Sequence, residues 1–308
     1  MAGNTLFRLG YATKTFATKG NYKLTQEFTT EWVNQTWTGL TSFYGSQVWT
    51  DGTHIYYSYG TTHKVLNGTN WEDKTWSGIT DFYGSNIWTD GTYVYYSNKT
   101  GGGATGNYVL SGSTWSSKTF YNKTDFDGDR VWCNGTTTYL SVGNVGLWYL
   151  SGSTWYSVSW SYQSYLYGNT MWTDGSVMYN SDGTTHQYQS GSTWYSKSWT
   201  NLGSAYGYYM WTDGTYIYSS NGSTQKRLSS GSSWVNQTWT GLTSFNGNNT
   251  WTDGNNIYYS DSSTQKKLKK SVMSNAFVGS NTIGPITVGS SNVSKVYINS
   301  TLVYEKWF

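Results

Sequence analysis

The chain has 308 residues, a formal charge of +3, and only 11% Asp, Glu, Lys and Arg against 19% aromatic residues. That balance excludes a polyelectrolyte tail or a broad basic nucleic-acid surface, and one cysteine, Cys133, excludes an intramolecular disulfide. Gly, Ser, Thr and Asn supply the polarity, and rings rather than long aliphatic chains supply the core.

Residues 1–20 carry no repeat and lack the apolar run of a secretory signal, the expectation either for a chain whose signal has been removed or for a protein made in a cytoplasm. No stretch reaches the length of a membrane span. From residue 21 to 270 one unit recurs. The tetrapeptide WTDG starts at Trp49, Trp88, Trp172, Trp211 and Trp251, with a degraded WCNG at Trp132. The spacings are 39, 44, 40, 39 and 40 residues. A second column is Trp32, Trp71, Trp115, Trp155, Trp194 and Trp234, and a third, five residues later, is Trp37, Trp76, Phe120, Trp160, Trp199 and Trp239.

Each unit reads as antiparallel strands. In the first, YGSQVW leads through TDGT to HIYYSYG and THKVL, and the segment from there through the Trp76 column supplies the last strand. Asp-Gly between aromatic or β-branched runs is a strong hairpin signal, since Asp bonds its own backbone. Four short strands per unit, six units and no helix-period segment predict an all-β chain: a six-bladed β-propeller of four-stranded antiparallel blades. Asn21-Tyr22-Lys23-Leu24 is a seventh copy of the Tyr-x-Leu strand, and predicts that residues 21–26 complete the last blade and close the ring.

The Ile-Tyr-Tyr strands (Ile55 to Tyr57, Ile257 to Tyr259), the later Tyr108 and Tyr188, and the following Trp115 and Trp194 resemble kelch-like propellers over about residues 22–270. The Gly-Gly doublet of that family is replaced by single Gly60 or Gly222, and the unit is shorter than the kelch period. The copper site of kelch-like oxidases does not carry over, because the one cysteine belongs to the repeat. Residues 271–308 lack the repeat, and VSKVYINSTLVYEKWF alternates as a hairpin across Asn299-Ser300. This tail resembles the short β-hairpin ends of tail and surface proteins of phages that infect Gram-positive hosts, and implies an attachment module for other virion proteins.

Chemistry is sparse. The turn aspartates Asp51, Asp90, Asp174, Asp213 and Asp253 recur in five units and read as scaffold. His54, His63 and His186 read as sharing no column, and no nucleophile, zinc or P-loop motif occurs. Asp125, Asp127 and Asp129 in TDFDGDR could hold Ca²⁺ through hard oxygens or stand as a solvated loop; no other cofactor is expected. For ligand binding, aromatics outside the columns are the candidates, since apolar sugar faces stack on rings: Tyr162, Tyr165, Tyr167, Tyr206, Tyr208, Tyr209 and Trp148, with the glycine-rich insertion at 98–107 beside them.

These residues predict a non-enzymatic binding protein. The resemblances imply a bacteriophage tail or receptor-binding subunit, on the virion surface, that recognises a host glycan or protein. The alternatives are a secreted or cell-surface carbohydrate-binding propeller, or a propeller glycosidase or oxidase. Neither a nucleic-acid partner nor membrane insertion is expected.

Overall fold

The computed structural model describes residues 28–99, 103–134, 136–143, 146–160, 166–272, 277–278, 281–282, 295–298 and 301–305. The repeat folds as a β-propeller of six blades, each with four antiparallel strands. Blade 1 runs Val48–Thr50, Ile55–Tyr59, Thr62–Asn67 and Asn70–Asp73 from the innermost strand outward. Blades 2 to 5 repeat this order from Ile87–Thr89, Val131–Cys133, Met171–Thr173 and Met210–Thr212. Blade 6 takes Thr250–Thr252, Ile257–Asp261 and Thr264–Val272 from the end of the repeat and its outer strand, Phe28–Asn34, from the start.

The ring therefore closes through an N-terminal strand, but with different bounds from the expected 21–26, which lie outside the described residues. Six third strands already exist once Thr264–Val272 is counted, so the last blade lacks only an outer strand. That is the position of the Trp32 column: Trp71, Trp115, Trp155, Trp194 and Trp234 all sit in outer strands. A second correction follows from the same register. Outer strands stop before the Trp76 column, as Asn70–Asp73 shows, and the third column lies on the segment that connects one blade to the next. There the backbone bonds to the next blade, as when Trp71 N–H donates to Thr38 O at 2.8 Å and Trp115 N–H to Ser77 O at 2.8 Å.

The core lies between blades and is aromatic. Between blades 1 and 2, Trp49 and Tyr56 meet Trp76, Phe82, Tyr96 and Trp115, all buried. The closing interface has the same make-up, with Trp251 and Tyr258 of blade 6 packed on Trp37, Phe43, Tyr57 and Trp71. Across the interface rings meet edge-on or tilted, as Trp37 and Trp251 do at 5.5 Å, while within a blade the WTDG tryptophan stacks on a second-strand tyrosine, as Trp251 does on Tyr258 at 4.5 Å. Each WTDG tryptophan also donates its indole N–H to a serine nine residues on: Trp49 to Ser58, Trp88 to Ser97, Trp172 to Ser181, Trp211 to Ser220 and Trp251 to Ser260. Blade 3 is the exception, because the Ser141 hydroxyl donates to the Leu166 carbonyl and the Trp132 indole N–H has no partner among the described residues. Cys133, in the same WCNG turn, is half-buried.

Before each inner strand the chain makes one 3-10 turn, the first being Gly45–Gln47 and the sixth Gly247–Asn249. Each of these hub turns packs on the next, and the sixth packs on the first. Each opens with a glycine: Gly45, Gly84, Gly128, Gly168, Gly207 and Gly247. A Cβ on any of them would run into the backbone carbonyl that ends the neighbouring turn, Asn249 for Gly45 and Gln47 for Gly84. None has a positive φ, so close approach alone demands glycine here.

Among the described residues no helix is long and apolar enough to cross a membrane. Residues 18–31 and 269–308 form a second unit. Within it Phe277–Val278 pairs with Asn281–Thr282, and Lys295–Ile298 pairs with Thr301–Glu305; the expected turn at 299–300 lies outside the described residues.

Candidate functional site

Antiparallel order gives the ring two ends. Inner strands start at the hub turns and finish at the WTDG turns, and second strands return. The hub turns and the turns between second and third strands therefore share one end, linked by bonds such as Phe82 N–H to Gly60 O and Ala205 N–H to Gly183 O.

The opposite end is nearly uniform. At each WTDG turn the aspartate closes the loop on itself. Asp51 Oδ1 accepts from the Thr53 and His54 N–H at 2.8 and 2.7 Å, and Oδ2 accepts from the Tyr56 hydroxyl at 2.9 Å. Asp90, Asp174, Asp213 and Asp253 repeat the arrangement with Tyr95, Tyr179, Tyr218 and Tyr258. Burial pushes the Asp51, Asp174 and Asp253 carboxyls up, but the bonds from their own turns outweigh it and hold them below the usual range. Burial and the facing aspartate raise the partner tyrosines. These carboxylates have their lone pairs committed to the scaffold.

The histidines need a correction. His63 and His186 occupy one column with Asn107, Gln225 and Gln265, the second residue of the third strand. Each sends a donor to a backbone carbonyl: His63 Nε2 to Thr80 at 2.9 Å, Asn107 Nδ2 to Thr124 at 2.7 Å, His186 Nε2 to Gly203 at 3.1 Å, and Gln225 Nε2 to Gly222 at 2.6 Å. Burial lowers both imidazoles, and the carbonyl bonds only partly counter it. His63, Asn107 and His186 pin connecting segments, whereas Gln225 bonds the turn of its own hairpin and reaches Phe245 O only at 3.3 Å; the amides in the column hid the pattern in the sequence.

The hub end carries the variation. Its turns read Gly-Ser-Gln, Gly-Ser-Asn, Gly-Asp-Arg, Gly-Asn-Thr, Gly-Tyr-Tyr and Gly-Asn-Asn in blade order. The residue before each is Tyr44, Tyr83, Asp127, Tyr167, Tyr206 or Asn246. Tyr167 and Tyr206 therefore belong to a column rather than breaking one. Tyr208 and Tyr209 are the true departures, replacing Ser46 and Gln47 of the first turn. The structure brings Tyr206, Tyr208 and Tyr209 together: Tyr206 and Tyr208 stack at 5.4 Å and 25°, and Tyr209 lies across them at 6.3 and 4.3 Å. All three are half-buried.

Tyr167 stands apart from that trio, under the Arg130 guanidinium at 5.2 Å. Arg130 spans two blades, donating to Asn169 Oδ1 at 3.0 Å and lying 3.6 Å from Asp129. Trp148 is half-buried in the third strand of blade 3 with the Lys123 ammonium 5.3 Å from its ring. Tyr162 and Tyr165 lie outside the described residues, as do Thr100, Gly101 and Gly102 of the insertion. Sequence reasoning passed over Tyr59 and Tyr83, which meet edge-on at 5.1 Å at the same end. Tyr59 is 49% exposed.

The three aspartates are divided among separate partners. Asp125 lies 3.6 Å from the Lys99 ammonium, Asp127 accepts the Lys99 backbone N–H at 2.8 Å, and Asp129 faces Arg130. Among the described residues no group of three or more His, Cys, Asp or Glu is placed to hold a metal ion. The acidic loop instead ties the blade 2 insertion to blade 3. No protein-family model matches the chain, and no curated protein is similar to it.

Proposed function

We propose that this propeller is a non-enzymatic attachment protein whose hub end recognises a surface glycan or protein on a target cell. One observation carries the reading. The WTDG end repeats from blade to blade, whereas the hub end gathers a tyrosine trio, an arginine that bridges two blades and a long insertion onto a rigid ring. Binding sites are commonly built this way, from variable segments on a constant scaffold. The hub turns carry tyrosine rings such as Tyr208 and amides such as Asn169, so apolar faces and hydrogen-bonding groups share one end of the ring, the mix that binding pockets use.

The setting we propose is a bacteriophage tail or other virion surface, with residues 271–308 as the attachment module for other virion proteins. The kelch-like resemblance of the repeat and the phage-like hairpin of the tail support it. The five turn aspartates are poor candidates for glycoside chemistry, because they serve their own loops.

The test is adsorption of fluorescently labelled protein to a panel of intact bacteria, Gram-positive strains first. Tyr208→Ser with Tyr209→Gln gives blade 5 the hub turn that blade 1 already has, so the ring is kept. We expect cell binding to fall at least tenfold with unfolding unchanged. Binding equal to that of the parent would refute the hub-end assignment.

A further inference from the structure

The outer wall of the ring carries a second set of aromatics. In blade 3, Tyr149 and Tyr156 stand directly opposite each other on neighbouring strands and stack at 5.4 Å and 23°. In blade 4, Tyr188 and Tyr195 repeat the pair in the same register, at 5.5 Å and 28°. Tyr156 and Tyr195 are 45% and 46% exposed. Among the described residues none gives any of the four hydroxyls a hydrogen bond, unlike the column tyrosines tied to turn aspartates. The equivalent pairs are Val65 with Glu72, Val109 with Ser116 and Arg227 with Val235 in blades 1, 2 and 5. The fold does not require tyrosine at these positions.

We propose that the two stacked pairs are binding subsites for a neutral polysaccharide, separate from the hub end. The exposed ring of Tyr156 or Tyr195, backed by its stacked partner, offers a face for the C–H side of a pyranose, and the phenol hydroxyls at the rim suit sugar hydroxyls. On the same face the next cross-strand pairs toward the turn are Ser151 with Thr154 and Ser190 with Thr193, all uncharged, which favours a neutral chain over an acidic one, and the Lys197 ammonium two residues beyond Tyr195 is drawn over the Trp199 ring at 4.6 Å. Two copies in adjacent blades fit a repeating polymer. The second engagement is then intramolecular and raises the apparent affinity.

Affinity electrophoresis through dextran, glucomannan and hydroxyethyl cellulose reads this out. Tyr156→Val and Tyr195→Val each install the residue that blade 5 carries as Val235, so the blades keep their fold, and Tyr208→Ser/Tyr209→Gln serves as the hub-end control. At least one polymer should retard the parent and the hub-end variant equally. Each single valine variant should lose roughly tenfold or more in apparent affinity, and the double variant should migrate as in a polymer-free gel. No retardation by any of the three polymers would overturn the proposal, as would undiminished retardation of the double variant. Concentration-dependent self-association of the parent that the valine changes abolish would assign the wall to a protein interface instead. Loss of retardation in the hub-end variant alone would place the polysaccharide at the hub and overturn the wall sites while leaving the hub-end reading intact.

Discussion

Gly84→Ala tests the hub directly. A Cβ there would lie 2.8 Å from the Gln47 carbonyl carbon and 2.9 Å from Trp49 Cδ1. Carbon atoms rest at about 3.5–4.0 Å, so the two blades must part by roughly 0.7 Å or more. The nearest obstacle is backbone, which no rotamer change relieves. Overpacking of this kind costs about 1–3 kcal/mol, and a backbone obstacle belongs at the upper end. Alanine returns at most about 1 kcal/mol by restricting the unfolded chain. The net is about 2 kcal/mol, a fall in Tm of roughly 4–8 °C for a domain of this size. Gly45→Ala should behave alike, because its obstacle is Asn249 across the ring closure. The control is Gly112→Asn, where φ is +58° and no atom lies within 4 Å of a Cβ; Asn tolerates that conformation, so Tm should hold. Differential scanning calorimetry decides. A Tm for Gly84→Ala within 1 °C of the parent, or no lower than that of Gly112→Asn, would refute the packing argument.

Further expectations concern the columns. His63 and His186 are held neutral, with folded pKa values below the unfolded one. Their stabilisation is therefore complete above about pH 6.5 and lost as pH falls through the folded values. The double change His63→Gln/His186→Gln, which copies the Gln225 side chain, should flatten the fall of Tm below about pH 6.5 relative to the parent. An unchanged slope would mean the rings do not titrate there. Asp51, Asp174 and Asp253 are depressed too, so their contribution is present above about pH 3.9 and lost below it. Asp51→Asn, the residue blade 3 has as Asn134, should lower stability at pH 7 and shrink the acid loss in urea titrations at pH 7 and pH 3. Trp132→Phe should cost about 1 kcal/mol less than Trp49→Phe, since only Trp49 gives up an indole bond to serine; equal losses by denaturant unfolding would contradict that.

The repeat was legible in the sequence because its signals are local. Asp-Gly turns and tryptophans at fixed spacing report hairpins and buried positions without knowledge of the partner. What needed coordinates was contact between units. The hub glycines stand in the sequence as Tyr44-Gly45, Tyr83-Gly84, Tyr167-Gly168 and Tyr206-Gly207, but their role depends on a carbonyl from the preceding blade. Treating Tyr167 and Tyr206 as departures overlooked that column, and His63 with His186 escaped notice because Asn107 does the same hydrogen bonding and Gln225 fills the same position with an amide. The outer-strand boundary was misplaced for a related reason: Trp76 is as buried as Trp71, yet the backbone of the next residue, Ser77, bonds forward to Ser113 and Trp115 of the next blade. The wall pairs depend on cross-strand register, which sequence spacing alone does not specify.

The most direct measurement of the functional account is cell adsorption compared across the two ends of one stable ring. Tyr208→Ser/Tyr209→Gln alters the hub end, and Tyr93→Asn alters an exposed residue of a WTDG turn, using the residue blade 6 carries as Asn256. The account predicts a binding loss of at least tenfold for the first, none for the second, and equal Tm values for both. Equal binding by the two variants, or a loss confined to Tyr93→Asn, would contradict it.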